Sequence, residues 1–145
     1  MLVVAAALAL LFKPSASARS WALLAFIPAI LLAFLLRFLL EWTLAQAAFW
    51  TTRVSAINQV YFVLMLFLSG QIAPLELFPR PIQVLAYLLP FHWMIGFPVE
   101  LVLGRVAPLD ALIGIAAQAA WLGISFLLVQ DVWRAGIRIY SAVGA

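Results

Sequence analysis

The side chains that could do chemistry in this chain centre on its single histidine, His92. The nearest carboxylates in sequence are Glu76 and Glu100, and Ser69 ends the preceding apolar run. A serine and a histidine can form a nucleophilic dyad, but the spacing does not select this pair over any other. The sequence contains neither HExxH nor GxSxG, the signatures of zinc-dependent hydrolysis and of a nucleophile elbow. His92, flanked by two aromatic residues, is more typical of an interfacial or hydrogen-bonded histidine.

Two further patterns limit the cofactor chemistry of the chain. It has no cysteine, which excludes disulfides, thiolate metal sites and cysteine nucleophiles. It also has no GxxxxGK[ST] loop, so any ATP-Mg must be bound and hydrolysed by another chain. We therefore expect a protein that is not an enzyme and that binds no metal or cofactor of its own.

A second polar group lies within an apolar stretch. Ser55, Asn58 and Gln59 are spaced i, i+3, i+4, so on a helix they form one stripe that faces protein or water and not lipid. Such a stripe either forms hydrogen bonds between helices or lines a pathway, and helical periodicity does not decide between these two roles.

A third group is a pair of opposite charges. Arg37 and Glu41 are four residues apart and share a helix face near the end of an apolar span. A charged side chain has a small free-energy cost there because it can reach the head groups. We interpret the two residues as a structural ion pair, with a role in transport as the alternative.

The elements that carry these groups belong in a bilayer. Hydrophobic residues make up 68% of the chain and charged residues 9%, whereas soluble domains have about half and about a quarter. The eight Lys and Arg residues are scattered and form no basic patch, so we expect no nucleic-acid partner.

The apolar runs predict an all-α integral membrane protein, a single domain with about four transmembrane helices. Full spans are expected at 21–44, 54–73 and 108–130. Residues 1–12 are expected to form a short first helix, since twelve residues rise only about 18 Å. A cleaved signal ending at Ala18 is the alternative, although no basic residue precedes the apolar run as a signal requires.

Small residues recur along the last span. Their spacing lets helix backbones approach closely, so this span should pack against another helix through Gly114, Ala116, Ala120 and Gly123. The tail that follows, 131–145, carries aromatic and basic residues and is expected to be interfacial.

The segment 74–107 is too apolar for a free loop and too rich in proline to cross the bilayer. Backbone of this kind is tolerated at membrane depth only where protein or a water-filled cavity satisfies it. We predict a re-entrant hairpin: one helix near Pro81–Leu89, a bend at Pro90, and a second helix near Trp93–Leu103 that ends at Gly104.

Charge alone leaves the orientation undecided. One side of the membrane would carry four basic residues, Arg37, Arg53, Arg134 and Arg138, and the other side four, Lys13, Arg19, Arg80 and Arg105.

The sequence resembles a known family through its most specific stretches. "FWTTRVSAINQVYFVLMLFLSGQIAPLELFP", then "LLPFHWMIGFPVELVLGR", then a last span with a tryptophan and "WRAGIRIYSAVGA" are similar to the C-terminal part of the ABC-2 type transporter permeases. The resemblance covers most of the chain, roughly from residue 21 onward. Its most specific part is an SG-x-x-x-P-L-x-x-F-P run followed by P-F-x-W-M.

The resemblance implies the membrane permease subunit of an ATP-driven exporter in the bacterial inner membrane. The segment 74–107 would face outward and the C-terminus would be cytoplasmic. A second permease subunit, identical or different, and separate ATPase subunits would be its partners. The polar stripe would then border the substrate pathway. The outer gate would be formed by Gly70, Gln71, Glu76, His92 and Glu100.

Family permeases have about six spans, so the resemblance also implies that this chain is a partial permease whose residues 1–12 belong to the third span. Two other functions stay open at this point. One is a non-transport scaffold or assembly protein that packs through its last helix, and the other is an intramembrane enzyme built on His92.

Overall fold

The computed structural model describes residues 20–143, with side chains for residues 21–138. Within this range the regular structure is entirely helical, which confirms the predicted all-α class. The helices are α1 (Ser20–Ala45), α2 (Val54–Leu68), α3 (Arg80–Leu88), α4 (Pro90–Met94), α5 (Gly96–Val102) and α6 (Pro108–Val143), with 3-10 turns at Gln46–Phe49 and Leu75–Leu77.

The predicted helix at 1–12, the signal alternative, Lys13 and Arg19 lie outside the described residues. Two segments of the described chain are helical, long and apolar enough to cross a bilayer: Trp21–Phe49 and Pro108–Arg138. In an apolar 18-residue window of each segment 17% of the residues are buried, whereas the core helix of a soluble domain is mostly buried. The two segments match the predicted spans at 21–44 and 108–130, but α6 continues as one helix through the predicted tail to Val143.

The two long helices pack side by side and run parallel. The Gln118 side chain of α6 donates a hydrogen bond to the Ala29 carbonyl of α1, at 3.1 Å. Farther along both helices, the rings of Phe49 and Trp133 are in edge contact, with centroids 5.8 Å apart. Since both contacts advance in the same direction along the chain, α1 and α6 begin on the same side of the bundle.

Alanines make this close packing possible. The buried residues of α1 recur every three to seven positions, and most carry only a methyl group, so the two backbones can approach. They are Ala22, Ala29, Ala33 and Leu36.

The four small residues predicted to pack on α6 divide between two of its faces. Gly114 packs against the ring of Phe97, where a side chain on the glycine would collide with that ring. Ala116, Ala120 and Gly123 are exposed, and a Cβ on Gly123 would meet nothing within 4 Å. Gly114 and Ala116 lie on opposite faces of α6, because two residues turn an α-helix by about 200°.

Helix α2 runs from the end of α1 back toward the side of the bundle where α1 and α6 both begin. Its Met65 and Leu68 pack with Leu36 of α1. Its fifteen residues rise about 22 Å, less than the roughly 30 Å of a bilayer core. The predicted helix at 54–73 therefore ends five residues early, because Gly70 has φ +80°, a left-handed conformation that stops a helix.

The connecting segment, residues 69–107, contains three short helices where two were predicted. The bend at Pro90 is present, since Leu89 is extended with ψ 162°, as the residue before a proline prefers. The predicted second helix starts earlier, at Pro90, and is broken at Ile95, where φ is −130°. It ends near Gly104, as predicted, with that glycine at φ +65°.

The connecting segment packs against the first halves of α1 and α6. Phe97 and Leu101 of α5 are buried in one cluster with Ala22 and Ala29 of α1. The Gln118 side chain also donates to the Trp93 carbonyl, at 2.8 Å. This single glutamine therefore ties together α1, α4 and α6.

Candidate functional site

An open cleft of 630 Å³ lies between α1 and α2, toward the end of α1. Below we call it the α1–α2 cleft. It brings together an ion pair, two amides and a phenol among apolar neighbours. Its lining residues are Arg37, Glu41, Ala45, Asn58, Gln59, Tyr61, Phe62, Val63 and Met65.

The ion pair of the cleft has the geometry that its spacing predicts. The Arg37 Nε donates a hydrogen bond to the Glu41 Oε1 at 2.7 Å, and the side chains are 47% and 49% exposed. Within the described chain neither side chain makes another hydrogen bond. The remaining guanidinium N–H groups of Arg37 and the second carboxylate oxygen of Glu41 thus have no hydrogen-bond partner among the described residues.

The predicted polar stripe is only partly in the cleft. Asn58 and Gln59 line it and are exposed, whereas Ser55, one turn nearer the start of α2, is exposed but not among the lining residues. Neither amide side chain hydrogen-bonds to another helix of the described chain. The interhelical hydrogen bonds that were one possible role of these amides are therefore not made within residues 20–143.

Tyr61 is a cleft residue that the sequence analysis did not single out. Its ring contacts Phe91, with centroids 5.8 Å apart. Its hydroxyl is covered by protein and has no hydrogen-bond partner in the described chain. Tyr61 follows Asn58 by three positions, so the helical period that selected the polar stripe could have included it.

The predicted gate residues lie in or next to the connecting segment, but they do not share one environment. Gly70 forms the turn after α2, and Gln71 and Glu76 are exposed. His92 is 2% exposed, with its Nε2 3.9 Å from Oε2 of the half-buried Glu100.

Burial decides the charge state of this histidine. Desolvation lowers the pKa of His92 to about 4, against a smaller opposing effect of Glu76. Burial, with the nearby charge of Glu76, raises the pKa of Glu100, while Arg105 opposes that shift. His92 is therefore neutral at pH 7, and its contact with Glu100 is not an ion pair under those conditions.

His92 is held by packing around a glycine. Its ring lies against Tyr87 and Trp93, with centroids 4.5 Å and 5.2 Å away. A Cβ on Gly96 would lie 2.5 Å from its Nδ1 and 2.7 Å from the Ser69 carbonyl oxygen. No larger residue fits between α4 and the end of α2.

Ser69 and His92, which were considered as a dyad, lie near one another but are not hydrogen-bonded. Both the Ser69 Oγ and the His92 Nδ1 are buried, and neither has a hydrogen-bond partner among the described residues. The described residues also contain no group of three His, Cys, Asp or Glu side chains able to hold a metal ion. The geometry that nucleophilic catalysis needs is not formed here.

Gln118 is the other residue that sequence reasoning missed. It is fully buried, and its Nε2 donates to two backbone carbonyls on different helices. A polar amide in an apolar span is a signal that was available, since such residues often bond across helices.

Comparison with protein families decides the identity of the chain. A family model described as ABC-2 family transporter protein matches residues 4–144. The chain belongs to the ABC-2 family of transporter proteins. Comparison with curated proteins and with solved structures gives no match.

Membership confirms the resemblance and extends it toward the N-terminus, since the match begins at residue 4 and not near residue 21. ABC-2 permeases are membrane components of transport systems and are not themselves catalytic. The long apolar helices and the α1–α2 cleft are thus parts of an ABC-2 transporter protein in a membrane.

Proposed function

We propose that this chain is the membrane-spanning permease subunit of an ATP-driven exporter and forms part of its substrate pathway. The observation that carries the proposal is the α1–α2 cleft. Five polar side chains, an ion pair, two amides and a phenol, converge there on helices whose other exposed residues are almost all apolar. Ionisable side chains on membrane helices usually face the interior of the bundle or a water-filled cavity, and they often mark a substrate pathway.

The energy for transport comes, in this proposal, from a separate ATPase subunit that binds ATP-Mg. Nucleotide-driven closure of the ATPase would move the permease helices, so that the pathway opens alternately to each side. A second permease subunit, identical or different, would complete the pathway. The exposed small-residue face of Ala116, Ala120 and Gly123 on α6 suits close contact with such a subunit.

We further propose that the protein lies in the bacterial inner membrane with the C-terminus in the cytoplasm. The parallel direction of α1 and α6 supports a common side for Arg53, Arg134 and Arg138, as a cytoplasmic face would have. The connecting segment would then lie at the outer face.

The connecting segment is proposed to dip into the membrane and to gate the exit of the pathway. Support comes from the hydrogen bond of the Trp93 carbonyl to Gln118, a residue ten positions after the start of α6 at Pro108. Gln118 lies inside the apolar segment Pro108–Arg138, which is long enough to cross a bilayer, so the connecting segment contacts this helix away from its end.

The direct test is co-purification. The full-length permease would be expressed in its native host, solubilised in mild detergent and isolated through a tag on the permease. We expect an ATPase subunit to elute with it and the complex to hydrolyse ATP. A complete permease that isolates without any ATPase would contradict the proposal.

The exposed face of α6 also suits a scaffold that binds a different membrane protein, and substitution separates the two functions. Ala120→Leu with Gly123→Leu should release the partner of a scaffold. In a permease, transport should instead be lost when Asn58 or Gln59 is changed, with ATPase association intact.

A further inference from the structure

We infer that the α1–α2 cleft binds the head group of a zwitterionic phospholipid from the surrounding leaflet. The inference rests on the proposed permease function and gives the substrate class of the same site. It follows from the level of the cleft in the membrane, from its balanced charge, and from the apolar residues beside its polar ones.

The cleft lies at the level of lipid head groups. Glu41 is four residues from the end of α1 at Ala45, a rise of about 6 Å. Trp42 and Trp50, exposed by 50% and 49%, lie at the same end of the helix. Exposed tryptophans concentrate at the interface between hydrocarbon and water. A lipid in that leaflet thus has its head group beside the ion pair without leaving its normal depth.

The charges of the cleft are opposite and adjacent. Arg37 and Glu41 sum to zero, and one Nε to Oε1 hydrogen bond leaves an edge of the guanidinium and one carboxylate oxygen for a ligand. A guanidinium edge binds phosphate in a bidentate manner, while a carboxylate oxygen accepts hydrogen bonds from an ammonium group. A purely anionic head group would satisfy Arg37 but would repel Glu41.

The rest of the lining matches the remainder of a phospholipid. Asn58 and Gln59 offer amide donors and acceptors to phosphate and ester oxygens. Phe62 and Val63, exposed by 55% and 50%, supply an apolar wall for the acyl chains. The volume of 630 Å³ is within the range of about 300 to 1,000 Å³ typical of ligand sites. It accommodates a head group while the chains extend into the bilayer.

The test is lipid binding by the purified full-length chain in detergent. The probe is phosphatidylethanolamine with a fluorophore on one acyl chain, and binding is followed by fluorescence anisotropy. Unlabelled phosphatidylglycerol and diacylglycerol with the same chains serve as competitors. We expect phosphatidylethanolamine to bind about tenfold more tightly than phosphatidylglycerol, since one charge-assisted hydrogen bond distinguishes them.

Substitutions of Arg37 and Glu41 test whether the preference for phosphatidylethanolamine comes from the ion pair. Arg37→Gln should weaken binding of both phospholipids. Glu41→Gln should weaken phosphatidylethanolamine by about tenfold and leave phosphatidylglycerol unchanged or tighter, so the preference disappears or reverses. A control pair exists on α6, where Arg134 and Asp131 lie 3.8 Å apart and are 68% and 77% exposed. Arg134→Gln and Asp131→Asn should leave both affinities unchanged.

Three results would overturn the inference. The first is equal affinity for the two phospholipids and diacylglycerol, and the second is an unchanged preference in Glu41→Gln when its helical circular dichroism is unchanged. The third is competition by soluble phosphoethanolamine as strong as that of the lipid, which would assign the site to a soluble compound. None of these readouts involves the ATPase, so failure of the lipid assignment and failure of the permease function remain distinguishable.

Discussion

The α1–α2 cleft and the connecting segment both hold polar side chains inside an apolar chain, but they hold them in opposite ways. In the cleft, Arg37 and Glu41 are about half exposed, and each retains free hydrogen-bonding groups. In the connecting segment, His92 and Ser69 are 2% and 1% exposed and packed around Gly96. Exposed polar groups remain free to bind a ligand, whereas buried ones are committed to one packed arrangement.

This difference separates binding from stability. Substitutions in the cleft should change what the protein binds and leave its unfolding almost unchanged. Substitutions in the connecting segment should do the reverse. Each prediction below tests one side of the comparison.

The largest effect is expected at Gly96. In Gly96→Ala the new methyl group would lie 2.5 Å from His92 Nδ1 and 2.7 Å from the Ser69 carbonyl oxygen, and backbone cannot move aside cheaply. Overpacking of this kind costs about 1 to 3 kcal/mol or more. Thermal unfolding in detergent should show a clearly lowered midpoint.

The matched control for Gly96 is Gly123→Ala, because a Cβ at Gly123 meets nothing within 4 Å. That change should be neutral or slightly stabilising, since alanine favours a helix over glycine by up to about 1 kcal/mol. Equal loss of stability in both variants would contradict the tight packing of the connecting segment.

The second effect is a pH dependence caused by His92. Its pKa is about 4 in the folded protein and about 6.5 when unfolded. Between these values the unfolded chain binds a proton that the folded chain does not, so stability falls as the pH falls from 6.5 toward 4. The slope is at most about 1.4 kcal/mol per pH unit, since one proton is bound. The raised pKa of Glu100 opposes this slope where that carboxyl group titrates.

Comparison with His92→Gln isolates the histidine contribution. Unfolding midpoints of both proteins would be measured from pH 7 to pH 5, and the variant should lose less stability over that range. Parallel curves would mean that His92 has the same pKa in the folded and unfolded protein, and would contradict the lowered pKa.

A smaller effect is expected from Gln118→Met, which keeps the length of the side chain but removes its two hydrogen bonds. Hydrogen bonds between membrane helices contribute about 0.6 kcal/mol on average, so the loss should be about 1 kcal/mol. Leu122→Met, one turn farther along α6, is the control for introducing methionine. If Gln118→Met loses no more stability than that control, the hydrogen bonds of Gln118 do not stabilise the packing of α1, α4 and α6.

The smallest effect is expected in the cleft itself. Glu41→Gln breaks an exposed i, i+4 ion pair, and such pairs contribute roughly 0.3 to 0.5 kcal/mol. The unfolding midpoint should hardly change. A loss comparable to that of Gly96→Ala would mean that the ion pair supports the fold, and the contrast between the two regions would not hold.

The features predictable from sequence were local ones. The bend at Pro90 and the helix end near Gly104 follow from the restricted or permissive backbone of those residue types. The pair of Arg37 and Glu41 follows from the helical period alone. The apolar runs predicted both long helices because a bilayer span has a required length.

The features that sequence did not predict depend on distant contacts. The parallel packing of α1 against α6 decides which face of α6 is buried within the described chain, and it leaves Ala120 on the exposed face. Likewise, the break at Ile95 depends on Gly96 approaching both His92 and the end of α2, residues that periodicity does not connect. Gln118 bonds to a helix 89 positions away in sequence, a partner that no local pattern indicates.

If the α1–α2 cleft is a water-accessible part of a transport pathway, a single cysteine placed in it should react with a water-soluble reagent. The native chain has no cysteine, so each variant carries one reactive thiol without background. In inside-out membrane vesicles, a charged maleimide should modify Asn58→Cys readily, because reaction requires a thiolate in contact with water. Val60→Cys, at a position 62% exposed but outside the cleft lining, should react slowly. Equal, slow labelling of both positions would show that water does not reach the cleft.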